Sequence, residues 1–282
     1  MNDALSILGI VLRVFEVGTS PRTFLLLVGL SFARMVSFLG VVPFFGGAAV
    51  PARVKAATAV AFVVVVFPSL AAGAPAGDPG VGVVEFVALL AKETFVGFTL
   101  GFVASLVFEA IQVSGRIIDA QRGSTMSETF APELQTRVSE LGQFKLQFAV
   151  VLFLLFGLHH YFIGALLRSF EVIPLTAFPN LSAGWSPAAA DIVRLTGEVL
   201  TISVRLAAPV IVALLLTDLF FGLVNRVAPQ INVFFLSMPV KMLVGLLAVL
   251  VALPIYKELY LRYFGEAYKV FEHVIRTLGG PR

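Results

Sequence analysis

Ionisable side chains stand where a strongly apolar chain should least accept them. Arg34, Lys92 with Glu93, Glu109, Arg205, Asp218 and Lys241 all lie inside or at the edge of apolar stretches. An ionised group at a bilayer centre costs at least ~2.5 kcal/mol, so such groups face protein or a wet cavity. Two further clusters invite chemistry. His159-His160 suggests a metal or a proton relay, but adjacent helical residues point about 100° apart, so one ion is poorly served by both. Ser124, Ser127 and Ser139 lie near carboxylates with no histidine nearby in sequence. No serine elbow, phosphate loop or dinucleotide fingerprint is present. Neither an enzyme nor a metal or cofactor site is expected.

The composition sets the class. Of 282 residues, 59% are hydrophobic and only 13% charged, against about 25% charged in soluble proteins. An all-α, polytopic integral membrane protein of kinked helical hairpins is expected, with roughly six hydrophobic segments in a single domain over residues 1–282. Zero cysteines excludes disulfides and thiolate chemistry. A net charge of +3 is too small and dispersed to suggest nucleic acid. The start, Met1-Asn2-Asp3, has no basic region, so a cleaved signal peptide is not expected.

Along the chain, Met1–Thr19 reads as an amphipathic helix. Ser20-Pro21 is a helix start, serine capping and proline fitting the first turn. The following helix runs to about Phe45, then Gly46-Gly47 and Pro51 break it. Only Ala56–Gly77 and Leu146–Leu167 stay free of charge over a membrane-spanning length. Ala71–Gly82 is a loop, and a long helix runs from Val81 to about Gly115. Within it Gly97 and Gly101 form a GxxxG that permits close helix approach. Gly115–Gly142 is a charged centre, and a Pro/Ser/Ala-rich loop ends at Ala190. Asp191–Asn225 and Ile231–Tyr256 are two more apolar helices. The tail, 256–282, is an amphipathic helix whose charges from Glu258 to Arg276 alternate in sign at steps of three or four.

Two polar stripes emerge at helical spacing: Glu109, Gln112, Arg116 and Asp119, then Asp191, Arg194, Glu198, Thr201 and Arg205. Each is either a subunit-facing or water-lined seam, or a set of internal ion pairs. Two segments place amides, an arginine and helix breakers between apolar runs. One is Ile117–Met126, continuing to Pro132; the other is Asn225–Lys241, where Pro229 removes a donor and Gln230 and Asn232 can replace hydrogen bonds.

These residues resemble the FliR/SctT family of bacterial type III secretion and flagellar export systems. The likeness spans nearly the whole chain and includes the Arg34 helix, the His159 region, Ser169-Phe170 followed by Pro174, and Asn225–Lys241. Asp119-Ala120-Gln121-Arg122-Gly123 and Phe234–Pro239 look more like the virulence-type SctT branch than flagellar FliR. The resemblance implies a bacterial inner-membrane, multi-pass export-gate subunit without enzymatic activity. Its partners would be FliP/SctR-like, FliQ/SctS-like and FlhB/SctU-like subunits, lipid, and unfolded exported proteins in transit. It implies a pore plug at Gly115, Asp119, Gln121, Arg122, Gly123, Ser124, Met126 and Pro132. Subunit packing falls to Glu109, Arg116, Arg194, Glu198, Arg205, Asn225, Arg226, Pro229, Gln230, Asn232, Met238, Pro239 and Lys241. Neighbouring subunits would then cover the intramembrane charges. A secondary transporter is the competing reading, with Arg34, Glu109 and Arg205 as coupling or substrate residues. No inverted repeat supports it.

Overall fold

In a computed structural model, residues 20–45, 50–72, 80–123, 139–178 and 185–279 are described. The expected helix at Met1–Thr19 and the plug residues Ser124, Met126 and Pro132 lie outside them. All regular structure among the described residues is helical: α1 Pro21–Val41, a short 3₁₀ turn Pro43–Phe45, α2 Ala52–Ala72, α3 Val83–Arg122, α4 Glu140–Leu155, α5 Leu158–Val172, α6 Trp185–Val227 and α7 Val233–Gly279. Five are long and apolar enough to cross a membrane, or six if α4 and α5 count as one span. The protein is all-α and polytopic.

Local sequence explains most helix ends. Ser20 caps α1 by accepting the Thr23 amide at 3.2 Å, with Pro21 in the first turn where its missing N–H costs nothing. Asn232 Oδ1 accepts from the Phe235 amide at the start of α7. Pro229 lies in the turn between α6 and α7, as expected from its missing donor.

Three expectations are corrected. Leu146–Leu167 is not one helix: α4 ends at Leu155 and α5 starts at Leu158, because Gly157 takes a φ of 69° that stops the helix without steric cost. The long charged helix does not end near Gly115. It continues to Arg122, and Gly123 ends it at φ 80°. Gly115, Asp119, Gln121 and Arg122 are therefore helical. The amphipathic tail expected over 256–282 is likewise not a separate helix but the second half of α7. α7 runs unbroken through Pro239 and Pro254, and its apolar stripe is buried within the chain.

The chain divides into two compact units. The first comprises Met1–Ser105, His159–Ile192 and Tyr268–Arg282. Its core is built on the face of α1 carrying Leu30, Met35 and Phe38, and rings pack against the last turns of α7: the Phe38 and Phe271 centroids are 6.2 Å apart and those of Phe162 and Phe271 5.2 Å. The second unit comprises Leu106–Leu158 and Val193–Ala267. Phe108, Phe153 and Phe264 form a closed triangle there, with ring centroids 4.9 to 5.2 Å apart. Each such pair adds ~0.5–1.5 kcal/mol beyond area burial. This packing is why the α7 stripe does not face a membrane surface.

Candidate functional site

The first unit holds a fully buried ion network. Arg34 on α1 and Glu93 on α3 are both 0% exposed, with Arg34 Nε 2.5 Å from Glu93 Oε2. Lys92 Nζ lies 2.6 Å from the other carboxylate oxygen. Two cations facing one anion leave a positive excess, and the chain absorbs it with backbone. Arg34 donates to the Ile173 carbonyl at 2.8 Å and to Ser169 Oγ at 3.1 Å, and its guanidinium sits 4.3 Å from the Phe170 ring centroid. Lys92 donates to the carbonyls of Pro174, Leu175 and Ala177 at 2.8 to 2.9 Å. The segment after α5 is thus wrapped round an ammonium, as carbonyls wrap a metal cation. Such charge-assisted bonds are roughly twice as strong as neutral ones.

Glycine makes this geometry possible. A Cβ at Gly97 would stand 2.2 Å from the Arg34 carbonyl oxygen, and one at Gly101 would stand 3.0 Å from that of Phe38. The GxxxG is a close crossing of α1 and α3. Glu93 lies one turn before Gly97 and shares its face.

The second unit holds the polar end of α3. Asp119, 2% exposed, accepts from Arg122 Nη2 at 2.6 Å, from Ser139 Oγ at 2.5 Å and from the Leu141 amide at 3.0 Å. Ser139 in turn caps α4 by accepting from the Gly142 amide at 2.9 Å. One carboxylate therefore ties the end of α3 to the start of α4. Gly115 allows the approach, since its Cβ would fall 2.4 Å from Gly142 Cα. Arg122 lies across Gly245 of α7, whose Cβ would strike its Cδ at 2.4 Å. Lys241 pairs with Asp218 at 2.8 Å, and Gln121 reaches the same carboxylate at 3.5 Å.

The other expected site residues face outward from the chain. Glu109, Arg116, Arg205, Asn225, Arg226, Pro229, Gln230, Asn232 and Pro239 are exposed, and Met238 is half-buried. Arg194 and Glu198 pair at 3.1 Å on an exposed face. The expectation that intramembrane charges are sheltered by other subunits is corrected for Arg34, Lys92, Glu93, Asp119 and Arg122, which the chain itself encloses. Arg226, in the last turn of α6, and Gln230, in the turn that follows, make no side-chain hydrogen bond or ion pair among the described residues.

Sequence reasoning missed Lys145. It is 1% exposed, its Nζ makes no hydrogen bond among the described residues, and it sits 4.2 Å over the Tyr256 ring. The signal was there. Leu141, Lys145, Ala149 and Leu152 recur at helical spacing and are all buried. The carbonyl cage at 174–177 gave no such signal, because backbone acceptors leave no trace in residue types.

The buried polar groups described above, Arg34, Lys92, Glu93, Asp119 and Arg122, join helices and the segments between them. A model of the family described as bacterial export proteins, family 1, matches residues 25–267. The chain belongs to this family. It is 29% identical to the flagellar biosynthetic protein FliR of Bacillus subtilis over 252 residues, covering 89% of this chain and 95% of that protein. It is 30% identical to the secretion system apparatus protein SsaT of Salmonella typhimurium over 171 residues, 60% of this chain and 64% of that protein. With the Yop proteins translocation protein T of Yersinia pestis it shares 33% identity over 154 residues, 54% of this chain and 58% of that protein. The matched range of the family model contains both networks: Arg34 and Lys92–Glu93 in the first unit, and Asp119–Arg122 with Ser139 in the second.

Proposed function

We propose that this export-family chain is a structural, non-enzymatic subunit of the export gate of a type III secretion apparatus in the bacterial inner membrane. Both units would serve that one role, helping to form and plug a channel for unfolded proteins. The observation that carries the reading is the family match across residues 25–267, shared with relatives named for secretion and for flagellar assembly. The exposed charged faces of α3 and α6 fit it: Glu109, Arg116, Arg194, Glu198 and Arg205 would pack against FliP/SctR-like, FliQ/SctS-like and FlhB/SctU-like subunits. The exposed junction of α6 and α7 offers Asn225, Arg226, Gln230 and Asn232 for the same purpose. The plug would hang between the end of α3 and the start of α4, anchored through Asp119.

A second reading, the flagellar counterpart, has its own support. The flagellar relative from Bacillus subtilis aligns over 89% of the chain, whereas the secretion relatives align over 60% and 54%. Deleting the gene and restoring it on a plasmid tests both. Loss of secreted effectors into the medium with motility intact supports the secretion branch, and loss of motility alone supports the flagellar one. Normal export of both kinds, or purification of the chain as a lone monomer that transports a solute, overturns the proposal.

A further inference from the structure

The seam between α1 and α2, within the first unit, carries two openings in line. The first is an apolar groove of about 240 Å³ lined by Phe24, Val28 and Phe32 of α1 and by Val60, Val64 and Phe67 of α2. It offers almost no polar surface, so a peptide backbone or soluble ligand would lose its hydrogen bonds to water there without replacement. The second opening, at the other end of the seam, is bounded by Leu39, Val54, Lys55 and Thr58. Lys55 and Arg53 are the only charged residues of α2, and neither α1 nor α2 contains an acidic residue. Neither cation makes an ion pair or side-chain hydrogen bond among the described residues.

These features share one line. Lys55, Ala59, Val63 and Phe67 succeed one another at four-residue steps and so lie on one face of α2. From Lys55 to Pro68 the helix rises ~20 Å at ~1.5 Å per residue. That matches one leaflet of a bilayer whose hydrocarbon core is ~30 Å thick, with allowance for the headgroup zone. The flank of the groove is open, with Val64 and Val65 exposed by 66% and 68%. A flexible chain can therefore enter sideways from the membrane.

We propose that this seam binds one anionic phospholipid, its acyl chain in the apolar groove and its phosphate on Lys55, with Arg53, on another side of the same helical turn, adding to the positive field there. The groove demands a hydrocarbon, its length demands one of leaflet size, and the unpaired cations at one end select a negative headgroup. Arg22, at the opposite end of α1, lines neither opening, which fixes the direction in which the lipid lies.

Native mass spectrometry of the full-length protein, extracted with its membrane lipids, tests this. The wild type should retain one phosphatidylglycerol in preference to phosphatidylethanolamine. Arg53→Gln with Lys55→Gln should lower that retention about fivefold per charge removed. Arg22→Gln should leave it unchanged. A photoreactive benzoylphenylalanine at Val64 should yield a phospholipid adduct. Equal retention of the two lipids, loss caused by Arg22→Gln instead, or no loss in the double variant overturns the proposal. So does an adduct to residues 1–19 or to another protein chain, since either would show a peptide in the groove.

Discussion

Gly97 stands against the backbone of Arg34, so close that a Cβ on the glycine would come within 2.2 Å of the arginine's carbonyl oxygen. Two helices meet there with no side chain between them, one turn from the Arg34–Glu93 pair. The contact and the ion pair depend on each other. Widening the crossing by one methyl group would lengthen a 2.5 Å charge-assisted bond between two fully buried side chains.

Gly97→Ala should therefore destabilise the protein by ~1–3 kcal/mol, the usual range for an overpacked core. Gly40→Ala, where a Cβ meets nothing within 4 Å, serves as the control. Thermal unfolding in detergent measures the difference; equal midpoints for the two variants would show that the crossing is loose.

Removing the shared anion should be worse than removing a pair. Glu93→Gln leaves Arg34 and Lys92 buried without a carboxylate, and an uncompensated buried charge costs ~3–5 kcal/mol. Adding Arg34→Met to Glu93→Gln should recover part of that loss, because Lys92 keeps its three carbonyls. Folded yield from membranes is the readout, and a double variant worse than the single one would refute the network.

Lys145 should behave in the opposite sense. Its ammonium is enclosed by apolar and aromatic groups and makes no hydrogen bond among the described residues. Lys145→Met keeps the length of the side chain and removes the desolvated charge, so the unfolding midpoint should rise or hold. A clear fall would mean that the ammonium has an acceptor in the assembled protein.

At Asp119 the expected effect reaches the proposed plug. Asp119→Asn weakens the carboxylate that receives Arg122, Ser139 and the Leu141 amide, each charged hydrogen bond contributing ~1.5–3 kcal/mol. Proteolysis between residues 123 and 139 should quicken, and membranes carrying the variant should leak ions. Unchanged conductance alongside faster cleavage would detach the anchor from any sealing role.

Arg226 and Gln230 distinguish folding from assembly. Both are exposed, Arg226 in the last turn of α6 and Gln230 in the turn after it, where substitutions shift stability by only ~0.5 kcal/mol or less. Arg226→Leu and Gln230→Leu should leave unfolding unchanged while reducing co-purified partner subunits. Reduced thermal stability with normal co-purification would place their role inside the chain.

The class of this protein was written in its residues. Long apolar runs have one stable home, so membrane helices follow from composition, and Ser20 and Pro229 mark a helix start and a turn through a capping hydroxyl and a missing N–H. The helical spacing from Glu109 to Asp119 was visible in the sequence, yet the point where the helix ends, after Arg122, was not. Ile117–Arg122 stays helical because Asp119 finds Ser139 and Leu141 twenty residues further on. Periodicity also showed that the tail carries an apolar stripe, though not what covers it. Tertiary structure decided that, by closing Phe108 and Phe153 over Phe264 and setting Phe38 and Phe162 against Phe271. It decided the fate of the intramembrane charges too. Sequence alone required that Arg34, Lys92 and Glu93 be sheltered, since ions in hydrocarbon are costly. Only the fold could choose between a neighbouring chain and this chain's own carbonyls, because a pair separated by 59 positions leaves no mark on either residue until the helices cross.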